Sequence, residues 1–168
     1  LLMERLSQSI KNADRNKTQI AVLFLDLDRF KIINDSLGHI VGDQLLVQVT
    51  EKILSSIRVP DTVCRWGGDE FVVLLDNIQL HEDIQSVVDK ISNVLNSENI
   101  IGNNSLFVST SVGIACYPKD GENANDLLKH ADASMYEAKS EGPGNFRYFD
   151  SHMLDGAETR LSMESKVR

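Results

Sequence analysis

The chain has 168 residues, 42% apolar and 25% charged, which suits one soluble globular domain with a core of ordinary size. The net charge of −8 excludes a duplex nucleic-acid surface, which needs a basic stripe, but is compatible with a small phosphorylated ligand held by a few lysines and a divalent metal. No apolar run reaches the length of a membrane span, the N-terminus shows no signal-peptide pattern, and Cys64 and Cys116 lie in strand-like runs without metal-ligand spacing, as buried free thiols of a reducing compartment do.

In chain order, Leu2, Leu6 and Ile10 predict an amphipathic helix over about residues 1–13, opening as abruptly as a piece cut from a longer protein would. Asn12 to Lys17 reads as a loop. The continuous apolar run Ile20 to Leu25 predicts a central strand covered on both faces, ending at Asp26-Leu27-Asp28. Carboxylates at the C-terminal end of a buried strand stand where open sheets tend to place ligands. Asp28 has two readings: a cap on the turn that follows, or a metal ligand. Arg29 to Ser36 predicts a short helical turn, and Gly38-His39 a loop. Val41 to about Arg58 predicts a helix striped by Leu45, Leu46, Val49, Ile53 and Ile57 and stopped by Pro60.

Thr62 to Trp66 and Phe71 to Leu75 read as two strands joined by Gly67-Gly68-Asp69-Glu70. The glycine pair predicts a hairpin that uses positive φ angles. His81 to Leu95 predicts a helix, residues 100–106 a second hairpin, and the stretch to Tyr117 one long strand. A Pro118-Lys119-Asp120-Gly121 turn follows, then a helix from Asp126 to about Glu141 capped by Asn125, ended by Gly142-Pro143-Gly144. Phe146 to Phe149 predicts a last short strand, and residues 151–168 an exposed helix or linker.

This order contains β-α-β-β-α-β and predicts an α+β fold of ferredoxin-like or palm type, with helices flanking a mainly antiparallel sheet. In that plan the first strand neighbours the Gly-Gly hairpin, so Asp26 meets Asp69 and Glu70 at one edge of the sheet. Three carboxylates there would repel unless neutralised, and hard divalent cations with oxygen ligands are the usual answer. An ordinary solvated acidic turn has the same residues; Asp26 is what favours the metal. Lys31 and Lys139 suit phosphate as mobile point charges. With no Walker-type glycine loop, metal, lysine and backbone N–H groups near residues 27–31 would hold phosphates. Asn34 and Asp43 together match the donor and acceptor pattern of a guanine edge, and otherwise read as a turn residue and a first-turn helix carboxylate. His39 has no partner identifiable from the sequence.

Arg65-Trp66-Gly67-Gly68-Asp69-Glu70-Phe71 resembles the signature of the GGDEF family of diguanylate cyclases. Residues 26–35, Gly38-His39 with Gly42-Asp43, Ser111-Val112-Gly113-Ile114-Ala115, Pro118 with Asp120-Gly121, and residues 131–139 resemble further family landmarks, in the right order over residues 1–150. The resemblance implies a cytoplasmic, palm-like domain that binds one GTP and, facing a second copy, condenses two GTP into cyclic di-GMP with release of pyrophosphate. This is nucleotidyl transfer serving bacterial second-messenger signalling, with no nucleic-acid polymer as partner. It implies Mg²⁺ or Mn²⁺ held by Asp26, the Leu27 carbonyl, Asp69 and Glu70, with the carboxylate pair Asp69/Glu70 catalytic. Guanine would be held by Asn34 and Asp43 with His39 nearby, and phosphates by the Phe30 backbone, Lys31 and Lys139, while Gly67 and Gly68 let the ligand approach the backbone. Arg58-Val59-Pro60-Asp61 resembles the family's RxxD inhibitory site, where Arg58 and Asp61 would bind the product.

Three departures stand out. Pro143 occupies the place where the family usually carries an arginine, Trp66 replaces a commoner smaller residue, and the family's segment before the first helix is absent. Residues 160–164 resemble the linker that joins such domains to an EAL phosphodiesterase domain, so residues 151–168 are expected to lead to a further domain, with a sensory domain and a membrane anchor open to the full-length protein. Pro143 and that linker support an alternative: a non-catalytic module that binds GTP or cyclic di-GMP and regulates an attached phosphodiesterase. An ATP-using palm-type cyclase is a third reading, disfavoured by the Asn34/Asp43 pair.

Overall fold

The computed structural model describes residues 1–153. Its elements run α1 (Leu2–Asn16), β1 (Gln19–Leu27), α2 (Phe30–Leu37), α3 (His39–Ser56), β2 (Thr62–Arg65), β3 (Glu70–Ile78), α4 (His81–Leu95), β4 (Glu98–Ile101), β5 (Asn104–Phe107), β6 (Thr110–Tyr117), α5 (Ala124–Ser140) and β7 (Phe146–Tyr148). The main sheet has the order β2-β3-β1-β6-β7, antiparallel except for the parallel β6–β7 pair. This is the mainly antiparallel α+β sheet with flanking helices expected from the element order.

β1 is central because both of its faces are apolar. Ala21, Leu23, Leu25 and Leu27 alternate onto one face and join Leu45, Val49 and Ile53 of α3 and Ile84, Val88 and Ile91 of α4. Ile20, Val22 and Phe24 take the other face, with Leu2 and Leu6 of α1 and Leu127, Ala131 and Met135 of α5. α5 lies almost on the backbone of β6: a Cβ on Gly113 would stand 2.1 Å from the Ala131 carbonyl oxygen and 2.2 Å from Met135 N. That contact gives the glycine of the Ser111–Ala115 landmark a purely steric reason.

Several local expectations are corrected. α1 continues to Asn16, through the polar stretch expected to be a loop, and Lys17 closes it in the left-handed region at φ 58°. His39 begins α3 rather than sitting in a loop. Asn123, not Asn125, caps α5, its side chain accepting from Asp126 N at 2.9 Å, because the cap oxygen must stand three residues before the amide it serves. The long strand expected before Tyr117 is broken between β5 and β6, where the Ser109 carbonyl accepts from Asp28 N; β4 and β5 form a separate two-stranded sheet. Both cysteines are free; Cys116 is buried, with its thiol pushed up to about 12 by burial and by nearby Asp120, while Cys64 is only half-buried on edge strand β2. No helix of the described residues is long and apolar enough to cross a membrane. The expected linker lies outside the described residues from position 154 on; before it, Met153 is buried against Ala133.

Candidate active site

β1 and β3 are paired so that Asp26 stands directly opposite Glu70, and Leu27 N donates to the Asp69 carbonyl at 3.1 Å. The convergence expected from the sequence is present, at the end of two interior strands rather than at a sheet edge. The hairpin bearing the acidic pair is closed differently from expectation. Neither Gly67 nor Gly68 has positive φ. Instead Trp66 N and Gly67 N both donate to the Glu70 carbonyl, at 2.8 and 3.4 Å, and the Arg65 guanidinium ties down the Gly67 and Gly68 carbonyls at 2.9–3.3 Å. Neither torsion nor packing within the chain requires glycine at position 68: a Cβ there would meet nothing within 4 Å. The result is an open shelf beside two carboxylates. Trp66 lies edge-on to Phe24, with ring centroids 6.3 Å apart, which gives the unusual residue a packing role.

Asp26 is buried at 7% exposure, and Lys139 from the last turn of α5 places Nζ 2.6 Å from its Oδ2. Burial pushes the Asp26 carboxyl up to about 7; the Lys139 hydrogen bond opposes this, and the Asp69 charge adds to it. Burial pulls Lys139 down, but the bond to Asp26 and the charges of Asp26, Asp28 and Asp69 carry it above its ordinary value. Asp26 Oδ1 is buried with no hydrogen-bond partner. A buried carboxylate oxygen without a donor, repelled by a second carboxylate, is an environment a cation would relieve. Among the described residues no group of three or more His, Cys, Asp or Glu side chains is gathered to hold a metal unaided. The gathering of Asp26, Asp69 and Glu70 into one three-carboxylate cluster, expected from the sequence, is thus not formed; an Mg²⁺ ion would need only one or two of them, with water and substrate phosphates completing its shell. The residues present fit such an ion.

On the other side of β1, Arg29 takes a left-handed φ of 62° and turns the chain into α2, whose first turn has no side-chain cap. Its amides at Phe30 and Lys31 are of the kind that accept phosphate. Phe30 is buried, and Lys31 is exposed. Asn34 is half-buried, with Oδ1 unpartnered, and lies against α3: a Cβ on Gly42 would fall 1.8 Å from that oxygen. Gly42 therefore makes the recess in which the Asn34 carboxamide sits, next to exposed Asp43; His39, one helical turn earlier, is exposed as well.

The RxxD pair is tied inward. The Asp61 side chain is fully buried; it accepts from Arg58 N and Nε through Oδ2, and from Arg58 Nη2 and Asp76 N through Oδ1, at 2.9–3.1 Å. Arg58 also donates to the Asp76 carbonyl at 2.6 Å, and Asp76 Oδ2 accepts from Ser9 of α1 at 2.9 Å. The Arg58 side chain is 42% exposed and forms the outward face of this latch.

Asp28 departs from the capping reading. It caps nothing, since α2 is preceded by Arg29 without a side-chain cap bond. Both its oxygens are filled instead from distant segments, by the Ser109 and Ser111 hydroxyls and by Gly144 N. Those partners lie 81 or more residues away, so no local spacing signals them. A cleft of about 450 Å³ between Gln19, Tyr117, Lys119 and Tyr148 lies at the far end of β1 from Asp26.

A mainly antiparallel sheet thus carries a carboxylate at the end of its central strand, an acidic hairpin beside it and a lysine bonded to that carboxylate. The family model "Diguanylate cyclase, GGDEF domain" matches residues 1–145, and the chain belongs to this family. Three proteins of Pseudomonas aeruginosa are similar to it. The bifunctional diguanylate cyclase/cyclic di-GMP phosphodiesterase MucR is 39% identical over the whole chain and 24% of its own length. The cyclic di-GMP phosphodiesterase NbdA is 40% identical over 96% of the chain and 20% of its own length. The diguanylate cyclase TpbB is 41% identical over 85% of the chain and 33% of its own length. A crystal structure of the TpbB GGDEF domain superposes with a TM-score of 0.86 at 37% identity, covering 89% of this chain and 93% of that one. The chain thus spans a third or less of these relatives.

Proposed function

We propose that this chain is an active diguanylate cyclase half-site, which condenses two GTP into cyclic di-GMP and two pyrophosphates when two copies face each other. The observation that carries the reading is the buried Asp26 carboxylate, with one oxygen unpartnered and the other bonded to Lys139, beside Asp69. Asp26, the Leu27 carbonyl, Asp69 and Glu70 would hold Mg²⁺ or Mn²⁺, which when bound neutralises phosphate charge and polarises the phosphoryl group under attack. Lys31, Lys139 and the α2 amides bind the phosphates. Asn34 and Asp43 orient guanine, with His39 at the rim. The open Gly67–Gly68 shelf admits the second nucleotide, and the Asp69/Glu70 pair takes the proton of its 3′-hydroxyl. One domain supplies half of the reaction, so a two-fold product fits a two-fold pair of chains. A product-binding edge would lie at the other end of β3, by Asp76, where Arg58 faces outward to the cyclic dinucleotide while Asp61 holds it in place.

The second reading is a non-catalytic GTP- or cyclic di-GMP-binding module that regulates an attached EAL phosphodiesterase domain. Pro143, in the usual arginine place, favours it, and NbdA is a relative named as a phosphodiesterase. Incubation with GTP and Mg²⁺, following pyrophosphate and cyclic di-GMP, separates the two. The cyclase reading expects both products, and their loss in Asp69→Ala with the fold intact by circular dichroism. GTP binding without product sinks it in favour of the second.

A further inference from the structure

Asp28 stands two residues past the strand-end carboxylate Asp26 and is 6% exposed. Its Oδ2 accepts from Ser109 Oγ at 2.6 Å and from Gly144 N at 3.0 Å, and its Oδ1 accepts from Ser111 Oγ at 2.7 Å. Its own N–H donates to the Ser109 carbonyl at 3.0 Å. A carboxylate has about four acceptor sites, and three are filled here by donors of this chain.

Gly144 belongs to the turn that ends α5. Gly142 N donates to the Lys139 carbonyl at 3.1 Å, and Gly142 and Gly144 both take positive φ, 118° and 76°. Lys139, the last basic residue of α5, returns its ammonium to Asp26. These bonds close a ring: Asp26 to Asp28 along β1, Asp28 to Gly144, Gly144 through the turn to Lys139, and Lys139 back to Asp26. A helix end left to itself frays. This one is fastened to the strand that carries the reacting groups.

We propose that Asp28 is a positioning residue, which fixes the Gly142–Pro143–Gly144 turn and thereby the Lys139 ammonium above the acidic strand end. Its consequence for turnover rests on the cyclase reading; the geometric claim does not. With proline in place of the family's arginine on this turn, the placement of Lys139 weighs more heavily on phosphate binding.

The test uses the 168-residue chain and the variants Asp28→Ala, Asp28→Asn and the double variant Ser109→Ala/Ser111→Ala. Hydrogen exchange at the Gly144 amide and the ¹⁵Nζ resonance of Lys139 report the geometry; kcat, KM for GTP and half-saturating Mg²⁺ report its use. In Asp28→Ala, Gly144 exchange accelerates about 100-fold, the Lys139 resonance is lost to exchange broadening, and kcat falls roughly 10–100-fold with half-saturating Mg²⁺ within about 3-fold of the parent. Asp28→Asn keeps an oxygen for Gly144 N–H and Ser109, and turns its amide N–H toward Ser111, so it stays within about 3-fold on every readout. If Asp28→Ala does not fold, the double-serine variant leaves the carboxylate in place with two donors removed, and must still speed Gly144 exchange and lower kcat. Unchanged Gly144 exchange and an unchanged Lys139 resonance in a folded variant overturn the proposal. So does a rise of about 10-fold or more in half-saturating Mg²⁺ in both Asp28 variants, which makes Asp28 a metal ligand. If the parent chain makes no cyclic di-GMP, the cyclase reading fails alone, and the exchange and ¹⁵N measurements decide the positioning claim.

Discussion

Lys139 crosses 113 positions of sequence to set its ammonium 2.6 Å from Asp26 Oδ2, at the end of the strand on which the whole sheet is built. The pairing is one-sided: Oδ1 of the same carboxylate has no donor, and Asp69 repels it. Without a metal, the site holds a carboxylate that burial drives toward its neutral form. In the absence of a cation the buried Asp26 carboxylate is therefore a stability cost.

That cost has a pH signature. Asp26 is pushed from 3.8 to about 7 in the folded chain. A carboxyl raised in this way contributes stability that is fully present below its ordinary value and is lost as pH rises through the folded one. In EDTA the chain should lose a few kcal/mol between about pH 4 and pH 7, the slope for one proton being at most roughly 1.4 kcal/mol per pH unit. Asp26→Asn should flatten that decline, leaving the variant more stable than the parent at pH 8 and equal to it near pH 4. Saturating Mg²⁺ at pH 8 should raise the parent's melting temperature and leave the variant's unchanged. Parallel melting profiles from pH 4 to 8 would show that Asp26 is not the strained group.

Gly42→Ala tests the guanine recess. A methyl there would overlap Asn34 Oδ1, the clash distance being 1.8 Å. Alanine is favoured over glycine inside a helix by about 1 kcal/mol, which works against any loss of stability from the clash. The expected result is a chain with a near-parental melting temperature whose KM for GTP rises about 10-fold as the carboxamide is displaced, an effect worth about 1.4 kcal/mol. An unaltered KM would place guanine elsewhere.

The Arg58–Asp61 latch separates two roles that the RxxD spacing alone runs together. Arg58→Ala should relieve inhibition by cyclic di-GMP about 10-fold or more, as expected for loss of a charged contact worth roughly 1.5–3 kcal/mol. Asp61→Ala should relieve it too, and in addition cost about 2–3 kcal/mol in urea denaturation, because the Arg58 and Asp76 amides lose their common acceptor. Parental stability in Asp61→Ala would deny the carboxylate its structural role. Parental inhibition in Arg58→Ala would remove Arg58 from the product edge.

The sequence made the layout of this site readable wherever a pattern was local. The apolar run before Asp26 marked the central strand, and element order alone brought Asp69 and Glu70 to its end. α4 was legible to the residue from its stripe of Ile84, Val87, Val88, Ile91 and Leu95. What escaped depended on partners far away in the chain. Nothing near Asp28 announces Ser109, Ser111 or Gly144. The expectation of positive φ at Gly67 and Gly68 failed because Arg65 closes that loop through their carbonyls. The Gly42 recess was invisible because it exists only once α2 lies on α3.

Pro143 offers the last test, since it bears on whether the site completes its reaction. It is exposed on the turn that Asp28 holds, and lines a cleft of about 290 Å³ with Asp28, Arg29 and Ser109. Pro143→Arg leaves the neighbouring Gly144 amide free to keep its bond to Asp28, and puts a guanidinium in the cleft lined by Asp28 and Arg29, ahead of the α2 amides proposed to bind phosphates. A charge-assisted phosphate contact at a partly exposed position is worth about 1–2 kcal/mol, so kcat/KM for cyclic di-GMP formation should rise roughly 5–30-fold, with half-saturating Mg²⁺ unchanged. Product made by the variant but not by the parent chain would assign the parent to the regulatory reading and name position 143 as the residue responsible. No gain over an active parent would show that the side chain at this turn does not reach the phosphates, leaving Lys139 and Lys31 to carry that role.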